Sequence, residues 1–135
     1  VSGAFAHYFV YDLSTGEIVW TGVCPPEFVP LQATAGRGVE AGLADPATQF
    51  FDLTAGVLAA KTTMPATVIK SEIWADGVDE ALIDNVPPGT RVFDGVEVSI
   101  CDDGTVEYST SQSGVYTLDL RHPQHLPLQV LITAT

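Results

Sequence analysis

Thr90-Arg-Val-Phe-Asp-Gly-Val-Glu-Val-Ser-Ile-Cys-Asp-Asp-Gly104 is the stretch that decides the fold class. Two short runs, Thr90–Phe93 and Val96–Cys101, each lead into an Asp-Gly step, Asp94-Gly95 and Asp103-Gly104. Asp-Gly between apolar runs is a strong hairpin signal, because tight two-residue turns need positive φ, which glycine adopts without steric cost. Val96-Glu-Val-Ser-Ile alternates as a half-buried strand does.

The pattern continues in both directions. Upstream, Thr67–Trp74 is strand-like and ends at Asp76-Gly77, and Glu80–Asp84 is closed by Asn85-Val-Pro-Pro-Gly89. Downstream come Thr105–Ser109, then Gly114–Arg121, a His122–Pro127 loop and a closing strand, Leu128–Ala134. About seven short strands at this spacing predict an immunoglobulin-like β-sandwich over residues 67–135. Thr62–Ala66 reads as a linker.

Residues 1–61 predict a separate small β module. Tyr8–Asp12 and Ile18–Gly22 flank a turn made of Asp12, Ser14, Thr15 and Gly16. Aromatic and β-branched residues favour the pleated surface, and the turn residues favour reversal. Cys24-Pro-Pro breaks the strand, and Pro25 and Pro26 suit one short helical turn. Gly38–Ala44, Thr48–Leu53 and Val57–Lys61 continue the β pattern. Tyr11-Asp-Leu-Ser-Thr-Gly16 and Phe51-Asp-Leu-Thr-Ala-Gly56 share the order aromatic, Asp, Leu, hydroxyl, Gly. The match is too short for a repeat architecture and reads as one turn solution used twice. The whole chain is therefore mostly β: a small N-terminal β-hairpin module followed by the sandwich.

Composition narrows the function. The 135 residues carry 17 acids against 5 bases, a net charge of -12. Arg37, Lys61, Lys70, Arg91 and Arg121 do not cluster in sequence, so nucleic acid and anionic lipid are poor partners. Charged residues are only 16% of the chain, which suits a protein that buries surface against neighbours. No apolar run approaches the roughly 20 residues that span a bilayer. Val1–His7 lacks the basic region and apolar stretch of a signal peptide. Cys24 and Cys101 read as buried thiols, with one disulfide as the alternative in an oxidising compartment.

No catalytic constellation assembles from the residue types. His122 and His125 are three apart, but Pro123 and Pro127 disfavour the helix that would aim both at a metal. Asp102, Asp103 and Glu107, or Asp76, Asp79 and Glu80, could approach a cation, yet neither set follows a calcium-loop pattern. Gly36-Arg-Gly38 lacks the helix start of a phosphate cradle. Ser109–Gly114 reads as a flexible hairpin tip rather than a nucleophile site. No catalytic, metal or cofactor-binding residue is predicted. The aromatic residues Tyr8, Phe9, Tyr11, Trp20, Phe50 and Phe51 concentrate in the first half and are the candidate partner-binding residues. Phe50 and Phe51 point to opposite faces of one strand, so one of them faces away from the local core.

Tyr8–Ile18, Cys24-Pro-Pro26 and Val39–Leu53, together with Pro88-Gly-Thr90, Asp102-Asp-Gly104 and Ser113–Leu118, resemble small tail proteins of tailed bacteriophages. That resemblance covers most of the chain through turn and strand motifs. It implies a non-enzymatic virion component at the tail tip, at a fibre attachment or in tail decoration. Other tail proteins would be its partners, several copies would associate, and assembly would occur in the bacterial host cytoplasm. Val57-Leu-Ala-Ala-Lys61 departs from the family, where a more polar strand is expected. The rival expectations are a module binding cell-surface glycan or protein through end loops 109–114 and 122–127, and a hydrolase using acids.

Overall fold

The computed structural model describes residues 4–135. It is mostly β and divides into two compact units, residues 1–62 and 63–135. The stretch read as a linker is partly packed. Met64 is 6% exposed and belongs to the core of the second unit, with Ala66 against the same core.

In the first unit, β1 (Ala6–Asp12) pairs antiparallel with β2 (Ile18–Cys24) and with β3 (Arg37–Ala41), giving the order β2-β1-β3. A 3-10 segment, Pro26–Gln32, joins β2 to β3, and its Val29 is buried. Pro25 precedes it and Pro26 opens it, as expected of residues whose missing N–H costs nothing in a first turn. A second hairpin pairs β4 (Gln49–Asp52) with β5 (Val57–Ala60). Phe9, Tyr11, Ile18 and Phe51 form the core, with Leu58 and Ala44 packed against it. Tyr11 stacks on Phe51 with ring centroids 4.1 Å apart, and the Phe9 ring is tilted against both. Leu58 explains why the strand after Gly56 is apolar: it closes this core from the second hairpin.

The echoed motif is one turn built twice. The Asp12 carboxylate accepts the backbone N–H groups of Ser14 (2.7 Å) and Thr15 (3.2 Å), and Gly16 N–H donates to Asp12 O. The Asp52 carboxylate accepts from Thr54 (3.0 Å) and Ala55 (3.1 Å), and Gly56 N–H donates to Asp52 O. Gly16 and Gly56 have φ of 78° and 72°. The registers match as well, Tyr11 facing Ile18 and Phe51 facing Leu58. The two turns differ in surroundings. Gly16 O accepts the Phe51 N–H at 2.8 Å, so the first turn docks on β4.

In the second unit two sheets enclose one core. One has the order β10-β9-β12-β13-β7, where β7 is Glu72–Ile73, β9 Thr90–Phe93, β10 Val98–Cys101, β12 Gly114–His122 and β13 His125–Ala134. The other has the order β11-β8-β6, where β6 is Thr67–Lys70, β8 Ala81–Asp84 and β11 Val106–Tyr108. Inward residues of both sheets, including Ile83, Val92, Leu118, Leu120, Val130 and Ile132, are buried together. This is a sandwich-like arrangement of facing sheets. Thr90 is buried and its hydroxyl donates to Pro87 O at 2.6 Å, so the core leaves that polar atom satisfied.

Two sequence expectations change here. The single strand expected over Thr67–Trp74 is two strands: β6 pairs with β8, and after Ser71 the chain crosses to the other sheet, where β7 runs parallel to β13. The expected His122–Pro127 loop is a two-residue turn, and β13 resumes at His125. His122 closes that turn. Its Nδ1 accepts the Gln124 N–H at 3.1 Å, and its Nε2 is 3.0 Å from Pro88 O, which can only accept. These partners assign a neutral ring carrying its proton on Nε2.

Ser109–Gly114 is tied down rather than free. The Tyr116 hydroxyl donates to Gln112 O at 2.8 Å, the Gln112 N–H donates to Thr110 Oγ1, and Gly77 N–H donates to Thr110 O. Tyr116→Phe removes the hydroxyl and leaves the ring, and is expected to cost about 1 kcal/mol of stability in urea unfolding. No loss would mean that the hydroxyl does not hold the loop.

Candidate interaction surfaces

The six aromatic residues expected to meet a partner occupy different places. Phe9, Tyr11 and Phe51 are buried, because the first unit is large enough to close its own core around them. They are corrected from surface to core. Tyr8, Trp20 and Phe50 are half-buried. Tyr8 faces Gly22 across β1 and β2, and its ring covers that glycine so closely that a Cβ there would overlap it. The Arg37 guanidinium sits 5.1 Å from the centre of the Trp20 ring, a cation–π contact between β2 and β3. A depression of about 100 Å³ at Tyr8, lined also by His7, Thr21 and Leu43 among others, is small for an organic ligand.

The acids have local partners. Asp76 accepts Val78 and Asp79 N–H, and Asp94 accepts Val96 and Glu97 N–H, each at 2.8 Å. Asp79 pairs with Lys70 and accepts Trp74 N–H at 2.9 Å. Asp102 accepts Gly89 N–H, and Asp103 accepts Thr105 N–H. Among the described residues no group of three or more potential ligands is placed to hold a metal. Cys24 and Cys101 are both free thiols, Cys24 half-buried and Cys101 buried. Burial, then the hydrogen bond to Asp103, raises the Cys101 thiol above its ordinary pKa, so it is a poor nucleophile.

These hydrogen bonds also set the acid limit. The Ser14 hydroxyl and N–H lower Asp12; the Asp79 and Val78 N–H groups lower Asp76; and Lys70, then Trp74 N–H, lower Asp79. Asp94 and Asp103 are lowered first by the N–H groups of Glu97 and Thr105. A carboxyl lowered in the native state contributes stability above its unfolded pKa, and that contribution is lost as pH falls through the native value. Glu107 acts in the opposite sense, being raised first by its hydrogen bond to Glu80, but it stands against five lowered groups. The urea midpoint is therefore expected to hold from neutrality to about pH 5 and to fall below about pH 4. A midpoint that rises on acidification would contradict this.

A cleft of about 380 Å³ lies on the open side of the second unit, between edge strands β10 and β11. Ser99, Asp102, Asp103 and Glu107 line its polar part. Asp102 and Asp103 are already engaged by backbone N–H groups, so they are positioned as turn formers rather than as a facing acid and base.

The most distinctive surface is one that sequence reading did not single out. Val98 faces Phe93, and Ile100 faces Arg91, across β10 and β9; Arg91 in turn faces Arg121 on β12. Val92 and Leu120, between these positions, are buried, so their neighbours point to the other side of the sheet. Phe93 is 40%, Val98 62% and Ile100 58% exposed. Val115 and Leu131 extend the apolar character on β12 and β13. The alternation in Val96–Cys101 was the available signal. Its apolar members face outward, while Cys101 opposes the buried Thr90 and turns inward.

Among the described residues no helix is long and apolar enough to cross a membrane. Comparison with family models, with curated proteins and with solved structures gives no match.

Proposed function

We propose that this chain is a non-enzymatic assembly protein, a structural component of a phage tail, which acts through protein–protein contacts. The single observation that carries the reading is the outer face of the five-stranded sheet, where Phe93, Val98 and Ile100 lie exposed side by side. Contiguous exposed apolar side chains on a folded domain mark interaction surfaces. The low charged fraction and the resemblance of the turn and strand motifs to small tail proteins support the same reading.

The proposal includes an immunoglobulin-like second unit. Two features support it. The strands divide between two facing sheets in the order β10-β9-β12-β13-β7 and β11-β8-β6, as expected of a Greek-key sandwich. Tyr116, near the start of β12, donates its hydroxyl to the backbone four residues upstream, the arrangement of a tyrosine corner.

Quantitative mass spectrometry of purified particles from the source culture tests the function. A fixed ratio of this chain to the major tail proteins is expected. Absence from particles, with the chain free in the lysate, would overturn the proposal and favour a module binding cell-surface glycan or protein.

A further inference from the structure

The four sheet edges of the second unit are not protected alike. Edge strands are commonly blunted by shortness, charge or bulges, because their open N–H and C=O groups otherwise accept another strand. β7 is only two residues, Glu72–Ile73. β6 breaks register between Val68 and Lys70 and ends on that lysine. β11 carries Glu107 at its centre. β10 has none of these devices: Val98–Cys101 is uncharged and in unbroken register with β9. Asp94 N–H donates to Glu97 O at 3.2 Å. Alternation from that pair turns the backbone of Ser99 and Cys101 toward β9 and leaves the N–H and C=O of Val98 and Ile100 on the open side. Among the described residues no backbone group meets them there. The same side holds the cleft of about 380 Å³ that β10 shares with β11. Ser99 opposes the buried Val92 and so turns to the core side, yet it is exposed, because no strand covers the core beyond β10.

We infer that β10 accepts one further strand: an extended segment of another protein, apolar at alternate positions and basic at its N-terminal end. Laid antiparallel along β10, the segment exchanges backbone hydrogen bonds with Val98 and Ile100, as in strand addition. Its residues opposite Ser99 and Cys101 send their side chains into the cleft, whose lining includes Val92 and Val106 and whose volume is in the range that takes up a ligand. Its residues opposite Val98 and Ile100 extend the outer apolar face. Charge selects the occupant. Asp102 and Asp103 follow the end of β10 and line the cleft together with Glu107, so a basic residue at the start of the antiparallel segment meets them. A second copy fits worse. Two β10 edges paired about Ser99 would set Glu97 of each copy toward Asp102 and Asp103 of the other, between chains of net charge -12. This inference rests on the assembly reading above and names the chemistry of one partner.

The probe is a peptide blocked at both ends, Lys-Lys-Val-Thr-Val-Thr-Val-Thr, labelled for fluorescence anisotropy and titrated with the full chain. Binding is expected, weaker at high salt and at least about tenfold weaker when glutamate replaces both lysines. N-methylation separates strand pairing from apolar adhesion. Residues whose side chains enter the cleft turn their N–H groups away from β10, and the residues between them turn theirs toward it. Methylating the threonine nitrogens is therefore expected to weaken binding at least about tenfold, and methylating the valine nitrogens less than about twofold. Ile100→Pro removes one outward N–H without touching the bonds to β9, and is expected to weaken binding likewise. Thermal unfolding verifies the fold of that variant; should it fail, the two methylated peptides still decide, because they leave the chain unaltered. Amide exchange at Val98 and Ile100 is expected to slow when the peptide is added. No binding at millimolar concentration, or equal losses from the two methylated peptides, would overturn the inference. So would slowing of those two amides as the chain is concentrated without peptide, the sign of a second copy on the edge. Detection of the chain in particles is a separate readout, so failure of strand addition and failure of the tail assignment are distinguishable.

Discussion

Gly16→Ala is expected to destabilise the first unit far more than Gly56→Ala, although the two glycines occupy the same place in the same turn. Both have positive φ, 78° and 72°, so alanine at either meets the left-handed penalty of roughly 1–2 kcal/mol. Alanine also restricts the unfolded chain, which offsets about 0.4–1 kcal/mol at both sites. The difference lies in the surroundings. A Cβ on Gly56 meets nothing within 4 Å, whereas one on Gly16 overlaps the Phe51 carbonyl oxygen and also reaches the Leu53 side chain. Relief requires the first turn to move off β4, stretching the Phe51 N–H bond to Gly16 O and disturbing the Tyr11–Phe51 stack. Overpacking of this kind adds about 1–3 kcal/mol. Urea unfolding followed through the aromatic signal is expected to show Gly16→Ala losing the larger amount by that margin. Equal losses would mean that the first turn does not rest on β4.

Ile132→Ala and Leu131→Ala make the corresponding test of the second unit. The residues are neighbours on β13, and successive side chains on a strand point to opposite faces. Ile132 is 0% exposed in the core between the sheets, and Leu131 is 61% exposed on the outer face. Truncating Ile132 leaves a cavity and is expected to cost roughly 2–5 kcal/mol. Truncating Leu131 is expected to stay within about 0.5 kcal/mol. A slip of one residue in the β12–β13 register would exchange the two results, since it turns every side chain to the other face. Equilibrium unfolding of both variants therefore reads the register directly.

Turn chemistry and strand propensity were legible in the sequence because they are local. Asp12–Gly16 and Asp52–Gly56 place an aspartate carboxylate under two backbone N–H groups, and that bond lies within a few residues of its source. The predominance of β structure followed from the same signals. What depends on distant pairing was not legible. Nothing in Thr67–Trp74 marks Ser71 as the point where the chain changes sheets, since β6 answers to β8 and β7 to the end of the chain. Three of the aromatic candidates, Phe9, Tyr11 and Phe51, lie in the core for a related reason. Tyr11 and Phe51 are far apart in sequence and meet only when the two hairpins pack, so a cluster that looks too large for its segment proves to be the core of that segment.

The exposed apolar face was hidden by the same rule that reveals strands. Alternation in Val96–Cys101 marks two faces but not which of them is covered. On an edge strand the choice falls to the register with β9, where Cys101 opposes the buried Thr90. Arg91 and Arg121 are remote in sequence, and only the pairing of β9 with β12 brings them together. A sequence reading that asks whether bases cluster along the chain cannot find a pair assembled across strands.

Photo-crosslinking from position 100 in purified particles tests the central claim most directly. With a benzophenone amino acid in place of Ile100, the account predicts covalent products joining this chain to a second copy of itself or to another virion protein. The same crosslinker at a buried position such as Leu118 should yield none. Particles that lack the chain, or that contain it with position 100 uncrosslinked while still open to a soluble labelling reagent, would contradict the claim that the outer face of the five-stranded sheet is the surface by which this protein is assembled.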